Sequence, residues 1–398
     1  MNDKTNHPYL RIVDMKNNTI IDDDIHYISE DVFAKIKQYI ITDKDLYITI
    51  AGTIGNVGII PSKYNNATLT ENAVRVTPLL INKKYLMYLI LSNYVQNQFI
   101  DKTHHVAMPK LAIERIKGVL IPIPPIQEQN RIVETVGTLL QLVETIDSDK
   151  IDLSNLIKQT KAKVLDLAIK GKLVPQDDND EPADKLLEKI REKKEKLIKE
   201  GKLKRDKNES YIYKNSDDNS YYEQIDGETV SIDDDLPFEI PDTWRWCNLC
   251  NISSTIPTKN YQILQSEILQ TGKIPVVSQS SNLIEGYSFV HEKIYEHFKP
   301  VIVFGDHTRC VKYIDFDFIV GADGVKIIAD IKINEKYLFY ILEYIKNTIQ
   351  NRGYSRHFQF IANSYIPIPS KNEQQRIANK IENIFLYLDN LESIIKGS

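Results

Sequence analysis

One phrase occurs twice in this chain. Ile121-Pro122-Ile123-Pro124 leads into Glu128-Gln129-Asn130-Arg131-Ile132, and Ile366-Pro367-Ile368-Pro369 leads into Glu373-Gln374-Gln375-Arg376-Ile377, in the same register without a gap. A long echo of this kind marks a duplicated unit. The unit is large, so the chain holds two copies of a domain plus a helix, not a solenoid. Two similar but non-identical domains on matching helices suit contact with two related objects at a fixed separation.

After Arg131, apolar residues fall at Ile132, Val136, Leu139, Val143 and Ile146. After Arg376 they fall at Ile377, Ile381, Ile384, Leu388, Leu391 and Ile395. Steps that alternate four and three make a coiled-coil seam. The match frays where Lys150 stands opposite Ile395. Proline before each helix suits a helix start, because the first turn leaves its N–H groups unsatisfied anyway. The shared register favours packing of the two helices on each other; the alternative is two amphipathic helices within one globular core.

At 398 residues, two or three domains are expected. The three cysteines (Cys247, Cys250, Cys310) suit a reducing compartment. Cys247 and Cys250 form C-x-x-C without a second pair at zinc-like spacing, so no metal site is expected. No run is apolar enough to span a bilayer, and no signal-peptide pattern opens the chain, so a soluble cytoplasmic protein with no membrane contact is expected. The net charge of −5 is uneven. Residues 206 to 239 carry 11 acidic and 2 basic residues, a net of −9, which leaves +4 on the rest. Charge therefore neither excludes nor requires nucleic acid.

Strand-like runs at 46–50, 57–60 and 73–76 precede a helix over about 84–100. The second copy repeats the order, with strands at 301–304, 311–314, 318–320 and 325–328 and a helix starting near Glu335. Lys84-Tyr85-Leu86 corresponds to Lys336-Tyr337-Leu338. Both domains read as α+β. The expected division is a first domain over 1–120, a central helical region over 121–205, an acidic mobile linker over 206–235, a second domain over 236–365 and a C-terminal helix over 366–398. Within the central region, one helix over about 125–170 breaks at Gly171-Lys172-Leu173-Val174-Pro175, and a Lys/Glu-rich helix follows over about 182–203. That second helix is either a solvated face stabilised by i,i+4 pairs or a docking surface. The second domain opens with Pro241-x-x-Trp244-x-Trp246, whose counterpart falls before residue 1; the first domain is expected to lack its opening segment.

Gly52-x-x-Gly55-x-x-Gly58 resembles a phosphate loop superficially, but a strand follows it, so a hairpin turn is expected. Gly305-Asp306-His307-Thr308-Arg309 sits between two strands at the corresponding place and reads as a polar recognition loop. Asn351 to His357 precedes the second phrase, and Lys102-Thr103-His104-His105 with Lys110 precedes the first. Arg and Lys can hold phosphates or read guanine, and Asn or Gln can read adenine. The candidate nucleic-acid contacts are therefore Thr53, Asn56, Lys102, His104, His105 and Lys110 in the first copy. In the second they are Ser278, Gln279, Ser280, Asp306, His307, Thr308, Arg309, Arg352, Tyr354, Ser355, Arg356 and His357. No methyltransferase Asp/Asn-Pro-Pro-Tyr motif, nucleotide P-loop or H-E-x-x-H is present, so no catalytic residue is expected.

At this point the chain resembles the specificity (S) subunit of type I restriction–modification systems over almost its whole length. The resemblance rests on the two proline-rich entries with Glu-Gln-x-Arg-Ile, on Leu167 to Pro175, on Pro182 to Leu187 and on Pro241-x-x-Trp244-x-Trp246. Val277 to Ser280, Gly305 to Thr308 and Val320 to Val325 add to it, and Tyr9-Leu10-Arg11-Ile12 looks like text from part-way into such a domain. It implies an α+β protein with an internal pseudo-two-fold repeat: two target-recognition domains separated by an antiparallel pair of long coiled-coil helices. Each domain would read one half of a bipartite double-stranded DNA site. About 27 helical residues rise roughly 40 Å, a little more than one DNA turn. The helices, through Ile132, Val136, Leu139, Val143, Ile146, Ile377, Ile381, Ile384, Leu388 and Leu391, would pair and recruit two methyltransferase (M) subunits. Those bind S-adenosylmethionine and flip and methylate adenine; restriction (R) subunits, with ATP and Mg, can join to cleave. The resemblance places no cofactor in this chain. Two other readings remain open: a coiled-coil adaptor that binds only proteins, and a freestanding metal-dependent nuclease using Asp306 and His307.

Overall fold

Alternating apolar runs between turn glycines dictate strands, and the chain folds accordingly. The computed structural model describes residues 7–100, 110–201, 210–225, 227–321, 323–348 and 356–397. It divides into two units, residues 1–149 and 150–398.

In unit 1, strand Leu46–Thr49 lies between Val57–Ile59 and Ala73–Val76, antiparallel to both. Gly52 and Gly55 have positive φ in the turn that joins the first two, so the glycine motif is the expected hairpin. A second sheet orders strands 26–28, 7–10, 67–69 and 40–41, with 7–10 parallel to 67–69. The expected helix over 84–100 is two helices, Lys83–Leu91 and Asn93–Ile100. Their apolar faces (Leu86, Ile90, Val95, Phe99) close over Leu46, Ile48 and Val57.

Unit 2 repeats the plan. Val301–Gly305 lies between Val311–Ile314 and Val325–Ala329, antiparallel to both, and Ser254–Ile256 extends the sheet. A second four-stranded sheet orders 262–263, 319–321, 274–277 and 286–288. Val277, Val303, Phe318, Val320 and Ile327 fill the space between the sheets. Helix Glu335–Thr348 covers the outer face through Tyr337, Leu338, Ile341, Leu342 and Ile345.

Two long helices follow the repeated phrase, as their seams predict: a central helix Ile126–Ile169 and a C-terminal helix Lys371–Gly397. Within unit 2 they run antiparallel. Lys161 meets Asp389 and Glu392, whereas Gln176 and Asp180, beyond the end of the central helix, reach Glu373 and Arg376. Ile377 and Ile381 are buried against Val164, Leu165, Ala168 and Ile169 and the helix 335–348, with Ile384 packed at the edge and Leu388 buried. Leu139, Val143 and Ile146 are exposed, and Ile132 and Val136 half-exposed. A long helix carries apolar residues at helical spacing along its length, so periodicity identifies a seam without saying which turns it meets.

The central helix ends where Gly171 adopts positive φ (65°), with Lys172 N–H bonded to Leu167 C=O at 2.8 Å. A β-carbon there would lie 2.5 Å from Pro241 and 3.1 Å from Trp244, so the break also admits the opening segment of the second domain. The charged helix spans Ala183–Lys199, and its stripe Leu186, Leu187 and Ile190 packs on the unit 2 core.

The acidic stretch is a correction. In place of a mobile linker, residues 210–214, 221–225 and 228–231 form a three-stranded antiparallel sheet. Ile212, Tyr221 and Ile232 bury against Trp246. Tyrosine and isoleucine on one face give the sheet an anchor that net charge alone conceals.

Candidate nucleic-acid interface

The repeated phrase builds the same clasp in both units. Asn82 caps helix 83–91 by accepting from Tyr85 N–H (3.1 Å); Asn334 accepts from Tyr337 N–H (2.8 Å). Each asparagine N–H donates to a glutamine from the phrase: Asn82 to Gln129 (2.8 Å) and Asn334 to Gln374 (2.9 Å). Each glutamine amide then donates to a proline carbonyl, Gln129 to Pro124 (2.8 Å) and Gln374 to Pro369 (3.0 Å). Tyr85 and Tyr337 hydroxyls bond the carbonyls of Pro122 and Pro367. The clasp fixes each domain to the start of its long helix. Unit 2 adds an indole: Trp244 Nε1 donates to Glu373 Oε2 at 2.9 Å, and Gln176 donates to the other oxygen. Burial raises the Glu373 pKa despite these donors.

On this frame, unit 2 gathers several of the expected contact residues at one end of its sheets. Thr308 Oγ1 donates to Gln279 C=O, and His307 N–H donates to Gln279 Oε1 at 3.3 Å. Gln279 Nε2 donates to Asp323 C=O (3.2 Å), and Gln262 Nε2 to Asp323 Oδ1 (2.8 Å). Gly324 has φ +83°, and a β-carbon there would lie 2.9 Å from both Gln279 and His307, so only glycine lets these loops meet. Arg309, with φ +62°, turns the hairpin. Thr308 and Arg356 are exposed, and Gln279, Ser280, His307 and Arg309 half-exposed.

Three candidates have supporting positions. Asp306 is buried, its carboxylate accepting from Phe358 N–H at 2.8 Å. His357 is buried, and its ring and its N–H both donate to Asp306 C=O at 3.0 Å. Ser278 is buried and donates to Glu285 at 3.1 Å. Asp306 and His357 thus tie the 305–310 loop to the helix 358–362.

In unit 1, Thr53 is exposed at the hairpin, while Asn56 donates to Met15 C=O at 3.0 Å and so braces the loop. Lys110 is exposed beside Leu111, whose N–H bonds Ile50 C=O. Lys102, His104, His105, Arg352, Tyr354 and Ser355 lie outside the described residues.

Lys312 is a further loop-supporting residue that its local sequence conceals. It sits in Val-Lys-Tyr-Ile, a pattern that places a lysine on an outer face, yet it is 5% exposed. Its Nζ donates to Ser278 C=O (2.8 Å) and to Asn282 C=O, and desolvation lowers its pKa. A buried ammonium thus holds the loop that carries Gln279. The sequence also conceals Gln262 and Asp323, although Val320 to Val325 stands out as a motif. Cys247 is buried and its thiol pushed up to about 12 by desolvation. Among the described residues, no three His, Cys, Asp or Glu side chains are arranged to hold a metal, and no helix is long and apolar enough to cross a membrane.

Comparison with known proteins agrees with this duplicated architecture. The family described as type I restriction modification DNA specificity domain matches residues 1–159 and 243–396. The EcoEI specificity subunit of Escherichia coli is 30% identical over 269 residues, 61% of this chain and 41% of that one. The EcoAI specificity subunit, also from Escherichia coli, is 29% identical over 215 residues, 44% of this chain and 33% of that one. These matches span less than half the length of either relative. Among solved structures, the HsdS subunit from Thermoanaerobacter tengcongensis superposes with a TM-score of 0.55 at 14% identity, covering 98% of this chain and 89% of that one. A chain from a structural study of the type I R-M system gives 0.60 at 14% identity, covering 98% and 86%. Both share the fold.

Proposed function

Since the chain belongs to the type I restriction–modification DNA specificity family, we propose that its two units each read one half of a bipartite DNA site. The observation that carries this is the repeated clasp: the same asparagine–glutamine–proline network holds two differently decorated domains to two long helices. Different loops on one frame suit two different half-sites. In unit 2, Thr308, Arg356 and the half-exposed Gln279 and His307 present the donors and acceptors for base edges and phosphates. Asp306, His357, Ser278 and Lys312 position those loops.

The chain acts by binding and scaffolding, with chemistry left to partners. Asp306, the acid of a freestanding nuclease reading, caps a helix N-terminus, so it is poorly placed as a base. Leu139, Leu142, Val143 and Ile146 expose one apolar stripe of the central helix, which suits docking of a methyltransferase subunit. S-adenosylmethionine, and ATP with Mg, are assigned to the modification and restriction partners.

The test is co-expression with a type I modification subunit, followed by long-read mapping of N6-methyladenine. The expected result is one gapped two-part motif. A stable complex that leaves DNA unmethylated, or that methylates a single ungapped motif, would sink the proposal.

A further inference from the structure

The charged helix Ala183–Lys199 borders a groove of about 690 Å³ within unit 2. The helix supplies Lys189, Lys193 and Lys194 to its lining, and Lys332 comes from the segment after strand Val325–Ala329. Lys332 is fixed by its N–H, which bonds Ile252 C=O at 2.8 Å. These four lysines share the lining with one carboxylate, Asp330, a net of +3 in a chain whose net charge is −5. Ile190, Leu197 and Leu249 also line the groove. Lysine stems can lie along such apolar carbon with their heads in water.

A solvated helix face does not account for this pattern. Lys185, Lys189 and Lys193 follow one another at four-residue steps. Like charges at that spacing lie side by side and destabilise a helix. Lys193 has Lys189 four residues before it and Leu197 four after it, and Ile190 and Lys196 at three, so the helix offers it no acid in reach. Lys189 meets Glu181 at 2.8 Å, but Lys193 and Lys332 are exposed and pair with no carboxylate among the described residues. An anion lying along the row would remove the repulsion.

The groove also has a direction. Phe358, at its lining, donates its N–H to Asp306 and follows the exposed Arg356 by two residues. Strand Val325–Ala329 runs from Gly324, beside Gln279 and His307, to Asp330 in the groove. Five residues of strand cover about 17 Å, the axial length of about five phosphates of one DNA strand. The groove thus leads from the recognition loops toward the far end of the sheet.

We propose that this groove holds the phosphate backbone of DNA flanking the second half-site, through Lys189, Lys193, Lys194 and Lys332. The inference rests on the reading that unit 2 meets DNA, and adds a contact that fixes position without reading sequence. Lysine suits that role, because its ammonium binds phosphate as a point charge on a flexible stem.

The test uses the full chain in complex with a type I modification subunit, and duplexes that carry the motif this complex methylates. Lys193→Gln with Lys332→Gln removes two charges that no carboxylate in the fold uses, so thermal stability should not fall. Binding near 0.1 M salt should weaken about tenfold, equally for motif-bearing and unrelated duplexes. The slope of log affinity against log salt concentration should shrink by about 1.8. The methylated motif should stay the same. Trimming the duplex at the outer edge of the second half-site should weaken the wild type more than the variant. Affinity and slope equal to the wild type's would overturn the proposal and leave the half-site reading standing. An altered motif would overturn it by placing these lysines among the base contacts. Loss of the modification subunit from the variant would overturn it in favour of an acidic protein surface in the groove. A wild-type complex without salt-dependent DNA binding would overturn both readings.

Discussion

Asn334 and Gln374, forty residues apart, share a partly buried hydrogen bond in which the main-chain N–H of one meets the side-chain carbonyl of the other at 2.9 Å. Asn82 and Gln129 repeat it in unit 1 at 2.8 Å. The glutamine is the hub, since its other end satisfies a proline carbonyl that no helix or strand can reach.

Replacing Gln374 or Gln129 with alanine should therefore leave a partly buried N–H and a proline carbonyl, buried at Pro369 and partly buried at Pro124, without their side-chain partner together. The expected cost to the unit concerned is roughly 2–4 kcal/mol, because each unsatisfied group costs about 1–3. Urea unfolding of the two variants checks it. A loss below about 0.5 kcal/mol, the range of ordinary surface substitutions, would mean that water replaces the hub.

Glu373 gives a pH signature. Burial raises its folded-state pKa above the unfolded value. Its contribution is then fully present below the unfolded pKa and is lost as pH rises through the folded pKa. The stability of the wild type relative to Glu373→Gln should thus be greater at pH 5 than at pH 8. Thermal unfolding at both values decides it, and a relative advantage that grows with pH would contradict the assignment.

Lys312→Met tests the loop support. The substitution keeps the apolar stem but leaves the carbonyls of Ser278 and Asn282 without their ammonium. In the assembled complex, methylation should fall about tenfold at one half-site, a loss comparable to one weakened base contact, with discrimination at the other half-site unchanged. Equal loss at both half-sites would point to global damage.

The two helical seams should respond differently. Ile381 is wholly buried, and Ile381→Asp places a carboxylate in an apolar interface, so it should cost upward of 3 kcal/mol and prevent assembly through misfolding. Leu139 and Val143 are exposed; changing both to aspartate should alter stability by less than about 1 kcal/mol. If the stripe docks a methyltransferase subunit, the same pair should still abolish co-purification with it. Retained complex would remove the stripe from the docking surface.

Much of this architecture was legible without coordinates. The duplicated phrase, the order of strands and helix in each copy, the glycine hairpin at Gly52 and Gly55 and the two long helices all depend on local pattern, which short stretches of chain carry by themselves. The partners did not follow. The turns of the central helix that meet Ile377 and Ile381, the tyrosine-faced sheet within an acidic stretch, and the burial of Lys312, Asp306 and His357 are set by contacts between residues far apart in sequence. Periodicity states that a residue has an inward face; only tertiary packing decides what stands opposite it, and therefore whether a polar side chain reads a ligand or holds the loop that does.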